Sequence, residues 1–230
     1  MDQEFHESIA LDRDKMKQLL KRSNHPSVLL FLIMYTLFLC SSVAIVLTWQ
    51  RSWWELTISF TVFAIIGCSL FACEHETTHN TAFKDNWLNR IAAILCGFGH
   101  MYSPTAFRNL HFTHHKYTHV PGKDPEISLG NKPVPSVIGN LPSYFGWLSG
   151  LPLILFKTFM LVVGAFGMPE FLRKSIFPFI EEESRPLLFI ESFLILSLNI
   201  GYVLLAIYIH PGFWGLLIGQ VIAHCLLASY

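Results

Sequence analysis

The stretch from Ser27 to Trp49, SVLLFLIMYTLFLCSSVAIVLTW, contains no charged residue. About 20 apolar residues in a helix cross a hydrocarbon core of ~30 Å, so this run is long enough to span a bilayer. Past Arg51 and Glu55 the chain is apolar again from Leu56 to Ala72, and so short a link forces an antiparallel hairpin. Pro186–Ile209, with Glu191 as its one acid, and Phe213–Tyr230 repeat the pattern across His210, Pro211 and Gly212. Only 14% of residues are charged and the mean hydropathy is +0.44, too apolar for a soluble globule. The expected fold is all-α and integral to the membrane, with four transmembrane helices in two hairpins forming one domain over residues 1–230. Between Gly139 and Met168 a further apolar stretch is interrupted by Pro142, Pro152 and Lys157. It reads as helices lying in the interface, with a fifth span as the alternative.

Met1–Asn24 mixes acids and bases and lacks the basic start and apolar centre of a cleaved signal peptide. Five basic residues precede the first span, one lies in the first hairpin, and none follows Arg185. The positive-inside rule therefore puts residues 1–26 and the region between the hairpins in the cytoplasm. The formal net charge is zero with no dense basic run, which argues against a nucleic-acid partner. Cys40, Cys68, Cys73, Cys96 and Cys225 are scattered through apolar segments without CxxC spacing, and read as small buried hydrophobes.

Seven of the eleven histidines fall between His75 and His119. In HETTH, His75 and His79 are four apart and share a helical face. Ser103 followed by Pro104 has the pattern of an N-cap and first helical residue, and Pro121 supplies a stop, so Thr105–His119 is expected to be helical. On it His111, His114 and His115 fall at i, i+3 and i+4, again on one face. Surface or interfacial histidines explain either cluster alone. Two clusters at one membrane face point to metal.

HETTH also matches HExxH, in which two histidines bind zinc and a glutamate, here Glu76, is the general base of a metalloprotease. A catalytic zinc takes three protein ligands and keeps one position open. Five imidazoles in the two clusters exceed that need and favour two metals. A non-enzymatic multi-pass protein that handles metal is a further alternative.

CEHETTHNTAF from Cys73 to Phe83, RNLHFTHHKYTH from Arg108 to His119, and Asp124-Pro125-Glu126 together resemble the first two histidine boxes of the integral-membrane fatty acid desaturase and hydroxylase superfamily. The resemblance extends to two membrane hairpins, both boxes after the first hairpin as a cytosolic cap, and interfacial helices before the second. It implies two non-haem iron ions that use O2 and two electrons to attack an unactivated C–H bond of a lipid substrate. It also implies a ferredoxin or small cytochrome as electron donor, because no flavin or haem motif is present. His75, His79, His111, His114 and His115 would then be iron ligands, with Glu74, Glu76 and Asp124 as candidates to orient the imidazoles or, equally, as solvated acids. Imidazole suits iron and zinc alike, so ligand type does not choose the metal.

His224 lies in the fourth span four residues after Gln220, where an ionisable side chain is a functional candidate. Some relatives draw an additional metal ligand from this part of the fold. The alternative is a hydrogen-bonded core histidine. His119 reads as a surface residue and His100 as structural or interfacial, while His6, His25 and His210 carry no case. His210-Pro-Gly lacks the second glycine of a haem-binding HPGG motif. The superfamily's third box, a second HxxHH after the last span, has no counterpart here. The resemblance thus implies a chain incomplete at its C-terminus, expected to bind iron poorly and to be inactive as it stands. Desaturation and hydroxylation, and acyl, alkane, sphingolipid and carotenoid substrates, are not separated by the sequence.

Overall fold

The computed structural model of the chain describes residues 12–134 and 140–228. His6 and most of the expected cytosolic segment, Gly139, and the last two residues of the fourth expected span lie outside them. After a short helix α1 (Arg13–Leu19), the first apolar run forms α2 (His25–Thr48), with Pro26 in its first turn. α3 (Trp53–Thr78) returns antiparallel to it. Ser52 and Glu55 form a capping box at its start, satisfying backbone N–H groups that the tight link would otherwise leave open. α3 runs six residues beyond Ala72 and so carries His75 on a continuous helix. The Thr77 and Thr78 hydroxyls donate to the Glu74 carbonyl within this last turn.

α4 (Asn86–His100), which the charge-free runs did not announce, packs along α3 and ends at Met101 in the left-handed conformation. α5 (Pro104–Tyr117) follows, with Ser103 as N-cap accepting from the Ala106 N–H, as its Ser-Pro start led us to expect. It stops two residues earlier than expected. Thr118 leaves helical geometry and His119 takes a φ of 60°. A two-residue strand β1 (Ser128–Leu129) then pairs antiparallel with β2 (Lys132–Pro133).

In the second half, α6 (Leu141–Leu148) and α7 (Leu151–Ala165) meet at 57°, short α8 (Glu170–Ser175) follows, and α9 (Arg185–Tyr208) and α10 (Trp214–Ala228) form the second hairpin. α2, α3, α9 with the helical turn before it, and α10 with the turn after His210 are long and apolar enough to cross a membrane. The bent α6–α7 pair would make a fifth span if taken as one. α7 lies along α9, where Gly164 brings it against Ser192. α10 seats on the first hairpin because a Cβ at Gly219 would come within 2.8 Å of the Phe63 ring. Small residues of this kind let apolar helices pack where lipid leaves no hydrophobic drive between them. Phe38, Ile45, Phe63, Leu70 and Leu216 form the core of that half. Phe107, Met160, Phe177 and Leu188 form a second core under α5.

His210 plays a local role. Its Nδ1 accepts from the Gly212 N–H in the turn between α9 and α10.

Candidate metal centre

α3 ends where α5 passes, and the two helices bring four imidazoles together. His75, His79, His111 and His115 each offer a ring nitrogen, and these nitrogens all lie within 4.8 Å of one another. His111 is at the centre, with its Nε2 2.9 Å from Nε2 of His79 and 2.9 Å from Nε2 of His115. His75 closes the group, its ring 4.6 Å from that of His111. Nitrogens at this separation can share one ion, whose bonds to imidazole are about 2.0–2.1 Å.

Electrostatics favour the form a metal needs. Loss of solvent lowers the His111 pKa to about 4, and the neighbouring imidazoles push the same way. His79 is lowered for the same two reasons. Imidazoles held neutral keep their lone pairs free, and ligands must be deprotonated to bind.

Three contacts hold the two helices in this relation. Arg108 of α5 donates to the Thr78 carbonyl at the open end of α3 and lies over the Phe112 ring, which itself faces His79. Glu191, the one acid of α9, reaches the start of α5, accepting from Ser103 Oγ at 2.6 Å and from the Thr105 N–H at 2.8 Å. A carboxylate there satisfies an orphan N–H and complements the helix dipole. Phe107 stacks on His111 from below, its ring centroid 5.2 Å away.

The expected orienting acids divide. Glu76 meets His75 Nδ1 at 3.2 Å and accepts from the Thr81 hydroxyl. Asp124, fully buried, meets His114 Nδ1 at 3.0 Å and also accepts from the backbone N–H groups of His119 and Glu126. Despite its desolvation, those N–H groups and His114 hold the Asp124 carboxyl below its usual range. Glu74 points the other way. It is fully buried, and neither carboxylate oxygen has a hydrogen-bond partner among the described residues.

Two of the six candidate ligands stand apart from the group of four. His114 is directed at Asp124 and Glu126, with its ring 6.4 Å from that of His111. His224 is buried in α10, where its Nδ1 bonds the Gln220 carbonyl at 2.7 Å. Its ring neighbours that of His100 at 6.3 Å. His119 is exposed on the left-handed turn after α5.

Sequence reading did not anticipate the polar cluster around His100 and His224. Glu74, His100, Tyr102 and Lys157 are all buried, and each has a polar atom without a partner among the described residues. Lys157 Nζ lies 5.2 Å from the Tyr102 ring, and its charge and that of Glu74 act on each other. Phe71 and Phe107, 5.5 Å apart, separate this cluster from the four imidazoles. Lys157 interrupts an apolar run in sequence, but it is turned inward.

A group of imidazoles that could hold a metal ion, at the end of apolar helices, narrows the field, and comparison with known families decides it. Residues 51–230 match the fatty acid desaturase family. The chain belongs to that family. No curated protein and no solved structure gave a significant match.

Proposed function

We propose that this desaturase-family chain serves the O2-dependent desaturation or hydroxylation of a fatty acyl or related lipid chain, with non-haem iron held by histidine. The observation that carries the reading is the group of four imidazoles from α3 and α5 at the end of a membrane hairpin. His75, His79, His111 and His115 are the proposed ligands of one ion. His114, set by Asp124, is a proposed donor toward the second, while His224 lies with His100 across Phe71 and Phe107 from these imidazoles. Bound iron supplies oxygen activation, which zinc lacks for want of redox chemistry. Desaturation balances as CH2–CH2 plus O2, two electrons and two protons giving CH=CH and two waters. Hydroxylation of one C–H consumes the same inputs and gives an alcohol and one water.

The residues have separable tasks. Glu76 and Asp124 fix the tautomers and ring orientations of His75 and His114 by taking their Nδ1 protons in hydrogen bonds. Phe71 and Phe107 keep water and the Lys157 charge away from the imidazoles. Arg108, Lys116 and Lys123 line an open basin of about 670 Å3 beside α5, with Glu181 on its edge. That positive face suits an acidic one-electron carrier, a ferredoxin or small cytochrome. We place the N-terminus and both boxes in the cytoplasm, from the distribution of basic residues, and treat residues 1–230 as one domain.

The zinc-peptidase alternative fits less well, because four converging imidazoles would close a tetrahedral zinc and leave no position for water. Metal analysis of the full-length protein loaded under anaerobic conditions, followed by mass spectrometry of lipids after addition of O2 and a reduced carrier, tests the proposal. Iron uptake with an O2-dependent change of 2 or 16 mass units in a lipid is expected. One zinc per chain, no iron and peptide hydrolysis would overturn it.

A further inference from the structure

Between α2 and α3 lies a cleft of about 360 Å3. Leu30, Phe31 and Met34 line it from α2, and Ala72, Cys73 and Glu76 line it from α3. Its polar content is small. The Ser69 hydroxyl is turned back to the Ile65 carbonyl, and the Glu76 carboxylate is engaged by His75 and Thr81. Phe83 closes one side, its ring 6.0 Å from that of Phe31.

Two features of position say what covers this cleft. Both walls are helices long and apolar enough to cross a membrane, and Leu29, Leu30 and Ile33 beside it are about half exposed, on a side that would face acyl chains in a bilayer. It also ends at Glu76, whose Oε1 is 3.2 Å from Nδ1 of His75, one of the four clustered imidazoles. On the water side, hydrogen bonds from Asn24 to Asp85 and from Arg22 to the Asn80 carbonyl tie the start of α2 to the loop after α3. That polar rim is where a lipid's ester and headgroup meet water.

We infer that the α2–α3 cleft seats one acyl chain of a bilayer glycerolipid, which reaches the metal centre laterally from the membrane. The inference rests on the proposed lipid-oxidising function and adds to it the route and the physical form of the substrate. A soluble acyl thioester would have to pass the Asn24–Asp85 rim from above. A chain already in the bilayer enters through the open side, and burying its methylenes there exchanges lipid contact for packing against Phe31, Met34 and Ala72.

Photo-cross-linking tests this without metal or turnover. The whole chain is reconstituted in vesicles of phosphatidylcholine containing a trace of the same lipid with a mid-chain diazirine, irradiated, and mapped by peptide mass spectrometry. Cross-links are expected to concentrate on residues 27–34 and 69–83. They should be lost from both walls in Ala72→Trp, whose indole would fill the space the chain occupies. Ala72 faces outward, so this variant is expected to fold and to take up Co2+ at the imidazoles as the parent does. Met34→Trp, on the opposite wall, provides a second plug. Cys40, exposed on the same helix away from the cleft, marks background labelling by bulk lipid.

Labelling spread evenly over the lipid-facing surface, or unchanged in both plugged variants, would overturn the inference. So would capture of a diazirine acyl thioester added from water but not of the vesicle lipid. Localised labelling in the chain, with no lipid oxidised by the iron-loaded full-length protein, would leave the cleft standing and refute the function. Lipid oxidation with no labelling at the cleft would do the reverse.

Discussion

Asp124 holds His114 by both carboxylate oxygens, at 3.0 and 3.1 Å from Nδ1, although the two lie ten residues apart across a left-handed turn. The same carboxylate accepts from the His119 and Glu126 N–H groups, so it folds the turn and aims the imidazole at once. With Nδ1 engaged, only Nε2 of His114 is left for a metal, and its basicity is raised.

Asp124→Asn keeps the shape of that contact and removes its charge. The single amide oxygen can accept from only one of the two backbone N–H groups, so the turn should lose about 1–3 kcal/mol while the fold survives. Metal affinity is expected to fall about 10–100-fold, the usual effect of losing a carboxylate behind a ligating histidine. Co2+ titration followed by visible absorbance reads this directly. Unchanged affinity would remove His114 from the ligand set.

Glu191 acts at the other end of α5. Replacing it with leucine leaves the Thr105 N–H and the Ser103 hydroxyl without an acceptor, inside an apolar core. The expected cost is about 1–3 kcal/mol, measured by chemical unfolding in detergent micelles. Metal affinity should fall as well, because α5 carries His111 and His115. Glu191→Gln keeps one acceptor oxygen and should recover most of both losses.

Much of this was legible in the sequence, and the exceptions have physical causes. The charge-free run announced α2, and the long apolar run around Glu191 announced α9, because a bilayer selects strongly on composition. The i and i+4 spacing of His75 with His79, and of His111 with His115, announced the clustered imidazoles because helix geometry is local. The second apolar run stops at Ala72, and the i and i+4 spacing of His75 and His79 put them on a helical extension of it. The helix continues because threonine hydroxyls and Arg108 satisfy its last carbonyls. α4 is too short to span and left no charge-free run. The capping of α5 by Glu191 and the inward turn of Lys157 depend on partners more than 80 residues away in sequence. No local pattern carries them.

Glu74 and Lys157 are both buried without a hydrogen bond between them, and their charges should still be coupled. Glu74→Gln alone leaves an uncompensated ammonium in an apolar surrounding, and Lys157→Met alone leaves a carboxylate, so each is expected to cost about 3 kcal/mol. The double variant removes both charges and should return to within about 1 kcal/mol of the parent. A double-mutant cycle in micelles measures the coupling. Additive losses would show that the two charges do not compensate one another.

Acid should destabilise the metal-free protein in a defined window. Burial lowers the pKa of His100 well below its ordinary value of 6.5, and burial with neighbouring imidazoles lowers His79, and His111 to about 4. Between pH 6.5 and about 4 the unfolded chain therefore binds more protons than the folded one, so stability falls as pH falls. The contribution of these histidines is fully present above pH 6.5 and is lost on the way down through the folded pKa values. Melting temperatures of metal-free protein, taken at half-unit steps, should decline across this window. Bound Co2+ should raise the curve above it and steepen the decline within it, because metal and protons compete for the same nitrogens. A flat profile from pH 7 to 4 would mean that the imidazoles are not held neutral by their surroundings.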